Sequence, residues 1–183
     1  MKVVAISGSL RAGSSNGALL RAAAALAPPG MELVFYEDLG SLPHFNPDLD
    51  TDSPPETVKH FRAMLSAADG ALISSPEYAH GIPGSLKNAL DWIVSSGELN
   101  AKPVLLIMAS PSGGRQAQAS LIEVLSVMDM KVLVDASLLV VSARKKVDDE
   151  GRVSDPDLAK ALRASLASLA AAIAARGSGG AQA

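Results

Sequence analysis

The sequence contains no cysteine, which excludes a disulfide framework, a thiol nucleophile and Cys-ligated zinc or iron–sulfur sites. The same absence fits a cytosolic protein. Aromatic residues are scarce, at 3% of a 183-residue chain that is 48% apolar. The core must therefore come from Ala, Val, Leu and Ile, and a planar cofactor could take space that aromatic rings fill elsewhere. Charge of one sign does not dominate either: the net charge is −3, and the basic residues are scattered apart from Arg144-Lys145-Lys146. That pattern argues against a nucleic-acid surface, and the triplet reads as a solvated loop. No signal peptide is visible, because the first apolar run is short and is followed at once by Ser7 and Gly8. No stretch reads as long enough to span a bilayer. A soluble, cytoplasmic protein is expected. Finally, there is no His/Asp/Glu cluster at metal-ligand spacing and no G-x-S-x-G elbow, and His44, His60 and His80 fall in no triad signature. Metal-dependent enzymes and hydrolases are disfavoured on those grounds.

What the chain does have is alternation. Aliphatic, β-branched runs at 2–7, 31–36, 70–75, 103–109 and 131–135 are separated by helical patterns near 16–27, 55–68, 84–96 and 115–129, and a last helix is expected near 155–175. Such alternation predicts an α/β domain in which a parallel sheet is covered by helices on both faces. The near-continuous apolar character of Ala71-Leu72-Ile73 and Val104-Leu105-Leu106-Ile107 agrees, since strands buried on both faces lose polar alternation. Right-handed crossovers and five strands give the order 2-1-3-4-5, with a ligand crevice at the carboxyl ends of strands 1 and 3. The length suits one domain, assigned to residues 1–176. The Gly/Ser-rich remainder, 177–183, is expected to be a disordered tail. Residues 37–54, with Pro43, Pro47 and Pro54, form a long loop after the second strand, read equally well as functional or as a surface excursion or subunit contact.

Three loops fall at the expected crevice. The first, Ser7 through Gly17, has glycines at 8 and 13, hydroxyls at 9, 14 and 15, and Arg11, all just before a helix. It reads as an anion cradle. Gly8 and Gly13 have the spacing of G-x-x-x-x-G-K-[ST], but Ser14 stands in place of the lysine, which disfavours an NTPase. Leu10 stands in place of the second glycine of G-x-G-x-x-G, which disfavours a dinucleotide at this loop. A terminal monophosphate on a compact ligand remains. The competing reading is a serine-rich turn that only caps the helix, with Ser15 or Asn16 as the cap.

The second loop, Ser75 through Pro83, places Tyr78 and His80 between Pro76 and Gly81, a composition suited to a planar ligand. Tyr78 as a loop anchor is the alternative. Trp92, on the following helix, reads as core. The third loop, Ala109 through Gln116, brings serines and two glycines to the end of a central strand, where backbone amides could meet a ring's polar edge. An ordinary turn reads equally well there.

Taken together, Gly8-Ser9-Leu10-Arg11 with Ser15-Asn16, Leu42-Pro43 with Asn46-Pro47-Asp48-Leu49, Pro76-Glu77-Tyr78, Ile82-Pro83-Gly84 with Leu86-Lys87-Asn88-Ala89 and Asp91-Trp92, and Gly113-Gly114-Arg115 resemble the NADPH-dependent FMN reductase family over roughly residues 1–175. The resemblance implies a flavodoxin-like three-layer fold, non-covalent FMN, and NADPH or NADH as electron donor. It implies electron transfer from the nicotinamide through FMN to a free flavin, quinone, azo compound or metal oxyanion, with no catalytic acid or base. A non-enzymatic flavin carrier is the rival function on the same fold. By position, the resemblance assigns Ser9, Arg11, Ser15 and Asn16 to the FMN phosphate. Pro76, Glu77, Tyr78, Ser110, Gly113 and Gly114 fall at the isoalloxazine ring. It also implies a homodimer or homotetramer, with Asn88, Asp91 and the long loop as subunit contacts. One departure stands out: the family commonly has asparagine after Pro-Glu-Tyr, and Ala79 stands here.

Overall fold

The computed structural model describes residues 1–179. A parallel sheet runs through its middle. The strands are β1 (Lys2–Ser7), β2 (Glu32–Tyr36), β3 (Gly70–Ser75), β4 (Pro103–Ser110), β5 (Lys131–Val132) and β6 (Leu138–Val141), in the order β2-β1-β3-β4-β5, with β6 also pairing with β4. The register places Val4 beside both Val34 and Ala71, and Ile73 beside Leu106. The strand order and its parallel sense are those expected from the sequence.

Side chains that alternate along the strands feed two cores. Val4, Ile6, Ile73, Leu106 and Met108 pack under α2 (Glu56–Ser66), α3 (Gly84–Asp91) and α4 (Arg115–Val127). Val3, Leu72, Leu105 and Ile107 pack under α1 (Ser15–Ala25) and α5 (Pro156–Gly179). Both β3 and β4 are buried along their whole length, as their unbroken aliphatic runs require. Few aromatics take part: Phe61 stacks on Tyr36 at 4.6 Å, and burial pushes the Tyr36 hydroxyl's pKa up to about 12. Lys102, almost fully buried, donates from Nζ to the carbonyls of Leu65 and Ser66 and so caps the end of α2.

Three sequence expectations need correction. The fifth strand does not run over 131–135: β5 stops at Val132, a 3₁₀ turn intervenes at Val134–Ala136, and β6 continues the edge against Ile107–Ser110. Ser137 supports the break, its hydroxyl accepting from Leu106 N at 3.2 Å and donating to Leu133 O at 2.9 Å. Second, α5 extends to Gly179, so 177–179 are helical, while 180–183 of the expected tail lie outside the described residues. Third, α5 is long and apolar enough to cross a membrane by length and composition. Its Leu158, Leu162, Leu166 and Leu169, however, are buried against the sheet, which makes it a core helix.

The long loop after β2 is an ordered excursion docked on α2 and α3. Asn88 accepts from Phe45 N and donates to Pro43 O, and Trp92 Nε1 donates to the same carbonyl at 2.8 Å. Arg62 joins Asp50 at 2.7 Å and also donates to Trp92 O. Asn88 is therefore committed within the chain, and Asp91 pairs with Lys87 one turn away. Trp92 is fully buried, in keeping with its reading as core.

Candidate functional site

At the carboxyl edge of the sheet the first loop leaves β1 and enters α1. Gly8 continues the pairing, its N–H donating to Ser74 O at 2.8 Å, and a Cβ there would lie 2.7 Å from Ser75 Oγ. Glycine is required at this point by the approach of β3, and its amide is already committed. The helix cap is Ser14, whose hydroxyl accepts from Asn16 N at 3.2 Å. Neither Ser15 nor Asn16 plays that part. Asn16 is buried and works as a latch: Nδ2 donates to Ala109 O at 3.2 Å, and Oδ1 accepts from Ser74 Oγ at 3.0 Å. One side chain thus fixes the start of α1 to both β3 and β4.

The second loop is a two-residue hairpin. Tyr78 and Gly81 exchange both backbone hydrogen bonds at 2.9 Å, and the two residues between them, Ala79 and His80, have φ of 49° and 64°. A turn with two left-handed central residues favours Asn-Gly, because asparagine and glycine adopt that region at lower cost than most residues. The asparagine that the resemblance leads one to expect at position 79 would suit this backbone demand. The hairpin holds Tyr78 out, 58% exposed.

Glu77 turns the other way. Its side chain is only 6% exposed. Oε2 accepts from Ala117 N at 3.0 Å and Oε1 from Ser112 Oγ at 3.3 Å. These bonds, the Ala117 amide foremost, outweigh partial desolvation and hold its carboxyl below the usual range. Glu77 therefore supplies, from the second loop, the anionic cap that α4 lacks in its own sequence, since the α4 N-cap is Gly114. Gly114 has φ of 83°, and a Cβ on it would come within 3.2 Å of Met108 Cβ; Gly113 has φ of 92°. The two glycines let the third loop fold tightly back over β4.

These loops enclose one cavity of about 440 Å³. Ser9, Arg11, Ser15 and Asn16 line it from the first loop, Pro76 and Tyr78 from the second, and Ser110 with Pro111 from the third. Of the ten residues singled out in the sequence, seven line this cavity; Glu77, Gly113 and Gly114 stand behind it and shape its walls. A fourth wall was missed. It comes from the turn after β6, where Ser142, Ala143, Arg144 and Lys145 also line the cavity. The signal was present as an aliphatic run, Leu138-Leu139-Val140-Val141, delivering two basic residues to the carboxyl edge. Only Lys146 of the triplet faces elsewhere, paired with Asp155 at 3.2 Å.

The walls divide by chemistry. The loops after β1 and β6 bring hydroxyls and cations, whereas those after β3 and β4 bring Pro76, Tyr78, Ala109, Ser110 and Pro111, all uncharged. Among the described residues, no group of three or more His, Asp or Glu could hold a metal ion.

Comparison with known proteins places this architecture. Residues 1–145 match the family described as NADPH-dependent FMN reductase. An NAD(P)H-dependent FMN reductase from Pseudomonas aeruginosa is 35% identical over 173 residues, covering 92% of this chain and 93% of that protein. A quinone reductase from Escherichia coli K12 is 34% identical over 161 residues, covering 85% and 86%. Among solved structures, the flavoenzyme NAD(P)H:(acceptor) oxidoreductase FerB from Paracoccus denitrificans superposes with a TM-score of 0.84 at 29% identity, covering 94% of this chain and 96% of that one.

Proposed function

The chain belongs to the NADPH-dependent FMN reductase family, and from that premise we propose that it delivers electrons from a reduced nicotinamide, by way of FMN, to a small planar acceptor of the quinone class. It is an oxidoreductase that works with FMN and NAD(P)H. The observation that carries the acceptor reading is the divided cavity, whose uncharged walls suit flat, neutral rings while its cations lie on other loops.

The residues present fit the cofactor. A volume of about 440 Å³ lies within the usual range for cofactor pockets. The lining includes cations and no carboxylate, which matches a phosphate dianion. When bound, FMN supplies the redox chemistry, so no side chain has to act as nucleophile, acid or base. The protein's part is to bind and orient. Ser9, Arg11 and Ser15 hold the phosphate beside the positive end of α1. Asn16, its side chain committed to Ser74 and Ala109, keeps that end in place. Pro76 and Tyr78 flank the ring, Glu77 stiffens the wall behind them by capping α4, and Ser110 offers a hydroxyl. Gly113 and Gly114 bring the third loop's backbone close. Preference for NADPH over NADH, a cytoplasmic location, and a homodimer or homotetramer belong to the same proposal, on the strength of the family resemblance.

The test is steady-state NADPH oxidation with 1,4-benzoquinone at varied FMN. Wild type turns over, and Arg11→Ala needs about 10- to 100-fold more FMN for half its maximal rate, the size expected for losing a hydrogen bond to a charged group, with unchanged thermal stability. An unaltered FMN requirement in Arg11→Ala overturns the phosphate assignment. Failure to turn over benzoquinone while reducing another acceptor overturns the quinone assignment.

A further inference from the structure

In a protein of net charge −3, three cations, Arg11, Arg144 and Lys145, converge on one cavity whose lining contains no carboxylate. Among the described residues, none of the three has an ion-pair partner within 4.0 Å, although Lys146, next in the chain, is paired. All three side chains are exposed at this cavity, and an anion seated among them would gain Coulomb attraction from each, weakened as salt is raised. The turn that presents two of them is also strained: Ser142 sits at φ of 54°, a region a serine rarely adopts. That conformation turns the chain sharply after β6, and buried Ala143 anchors it in the core beneath α1 and α5. Arg144 Nη2 then reaches Gly13 O in the first loop at 3.4 Å, which brings its guanidinium to the lip of the phosphate cradle. Two acidic residues, Asp148 and Asp149, line a neighbouring cleft that Arg11 and Arg144 also border, and Asp148 is already engaged by Arg152 at 2.7 Å.

Building on the cofactor reading above, we infer that Arg144 and Lys145 form a second, cationic half of the phosphate site, contributed by the loop after β6, and would hold the FMN phosphate together with Arg11. They are specificity residues: they discriminate a phosphorylated flavin from riboflavin. The loop after β6 thereby becomes part of the cofactor site, and its strained Ser142 is the feature that aims it.

The experiment is titration of the purified protein with FMN and, separately, riboflavin, followed by quenching of flavin fluorescence at low and high salt. Arg144→Ala combined with Lys145→Ala weakens FMN binding about ten-fold or more, leaves riboflavin binding unchanged, and flattens the salt dependence of FMN affinity. Arg144→Lys, which keeps the charge, restores part of the preference. An FMN-over-riboflavin ratio equal to wild type in the double variant overturns the inference, as does an equal loss for both flavins, which would mean that the turn serves only to hold the first loop. Failure of the underlying cofactor reading looks different: the wild type would then bind neither flavin.

Discussion

The distinction between touching a ligand and placing what touches it is drawn at single residues. Glu77 lies inside the sequence motif that carries the family resemblance, yet its carboxylate points to the amide of Ala117 and the hydroxyl of Ser112. It links the second loop to the third. Ala79 is informative in the same way. The hairpin needs φ of 49° at this position, where the Cβ penalty that alanine bears is partly offset in asparagine by local hydrogen bonding of its side chain. Ala79→Asn is expected to stabilise the protein by about 0.5–1 kcal/mol, raising Tm by roughly 1–4 °C, without weakening FMN affinity. A fall in Tm would mean that the turn relaxes out of the left-handed region.

At the scale of elements, the site depends on how the start of α1 is held against the sheet. Asn16 is the only side chain in the first loop that bonds to both central strands among the described residues, through Ser74 and Ala109. Asn16→Ala leaves a buried hydroxyl and a buried carbonyl without that partner, at a cost of about 2–4 kcal/mol and a Tm loss of roughly 5–15 °C. A change within 1 °C would show that water or a shifted α1 replaces the latch. The strand–helix alternation made most elements legible from sequence, because short aliphatic runs such as Val104–Ile107, entered by Pro103 and ended before the Ser-Pro-Ser-Gly-Gly turn, read as buried parallel strands by their length and flanks. The edge was not legible. The aliphatic run at 131–135 satisfies a five-strand count, so Leu138–Val141 attracts no assignment, and the break between them rests on a side-chain bond from Ser137 that no periodicity reports. Without β6 the turn at its end has no place at the crevice, and for that reason Arg144 and Lys145 read as a solvated loop in the sequence.

Over the whole molecule, the fold sorts charge and apolar surface in ways that composition conceals. A slightly acidic chain builds a cationic cavity by drawing basic residues from positions 11, 144 and 145, far apart in sequence and joined only through the sheet order. The apolar, alanine-rich end of the chain becomes α5, whose leucines complete the second core. Residues of the first three loops could be chosen from sequence because the crevice of a parallel sheet falls at its carboxyl edge wherever the strand order reverses. Which of them face the cavity and which brace it could not, since Asn16 and Glu77 are distinguished only by where their side-chain bonds go. The central claim, that this cavity holds FMN and accepts electrons from a nicotinamide, is tested most directly by one visible spectrum. The purified protein is incubated with FMN, desalted, and mixed anaerobically with NADPH. Retained flavin absorbance that bleaches on NADPH addition is the predicted result; a protein that emerges from the column colourless at micromolar concentration, or retains flavin that NADPH does not bleach, contradicts it.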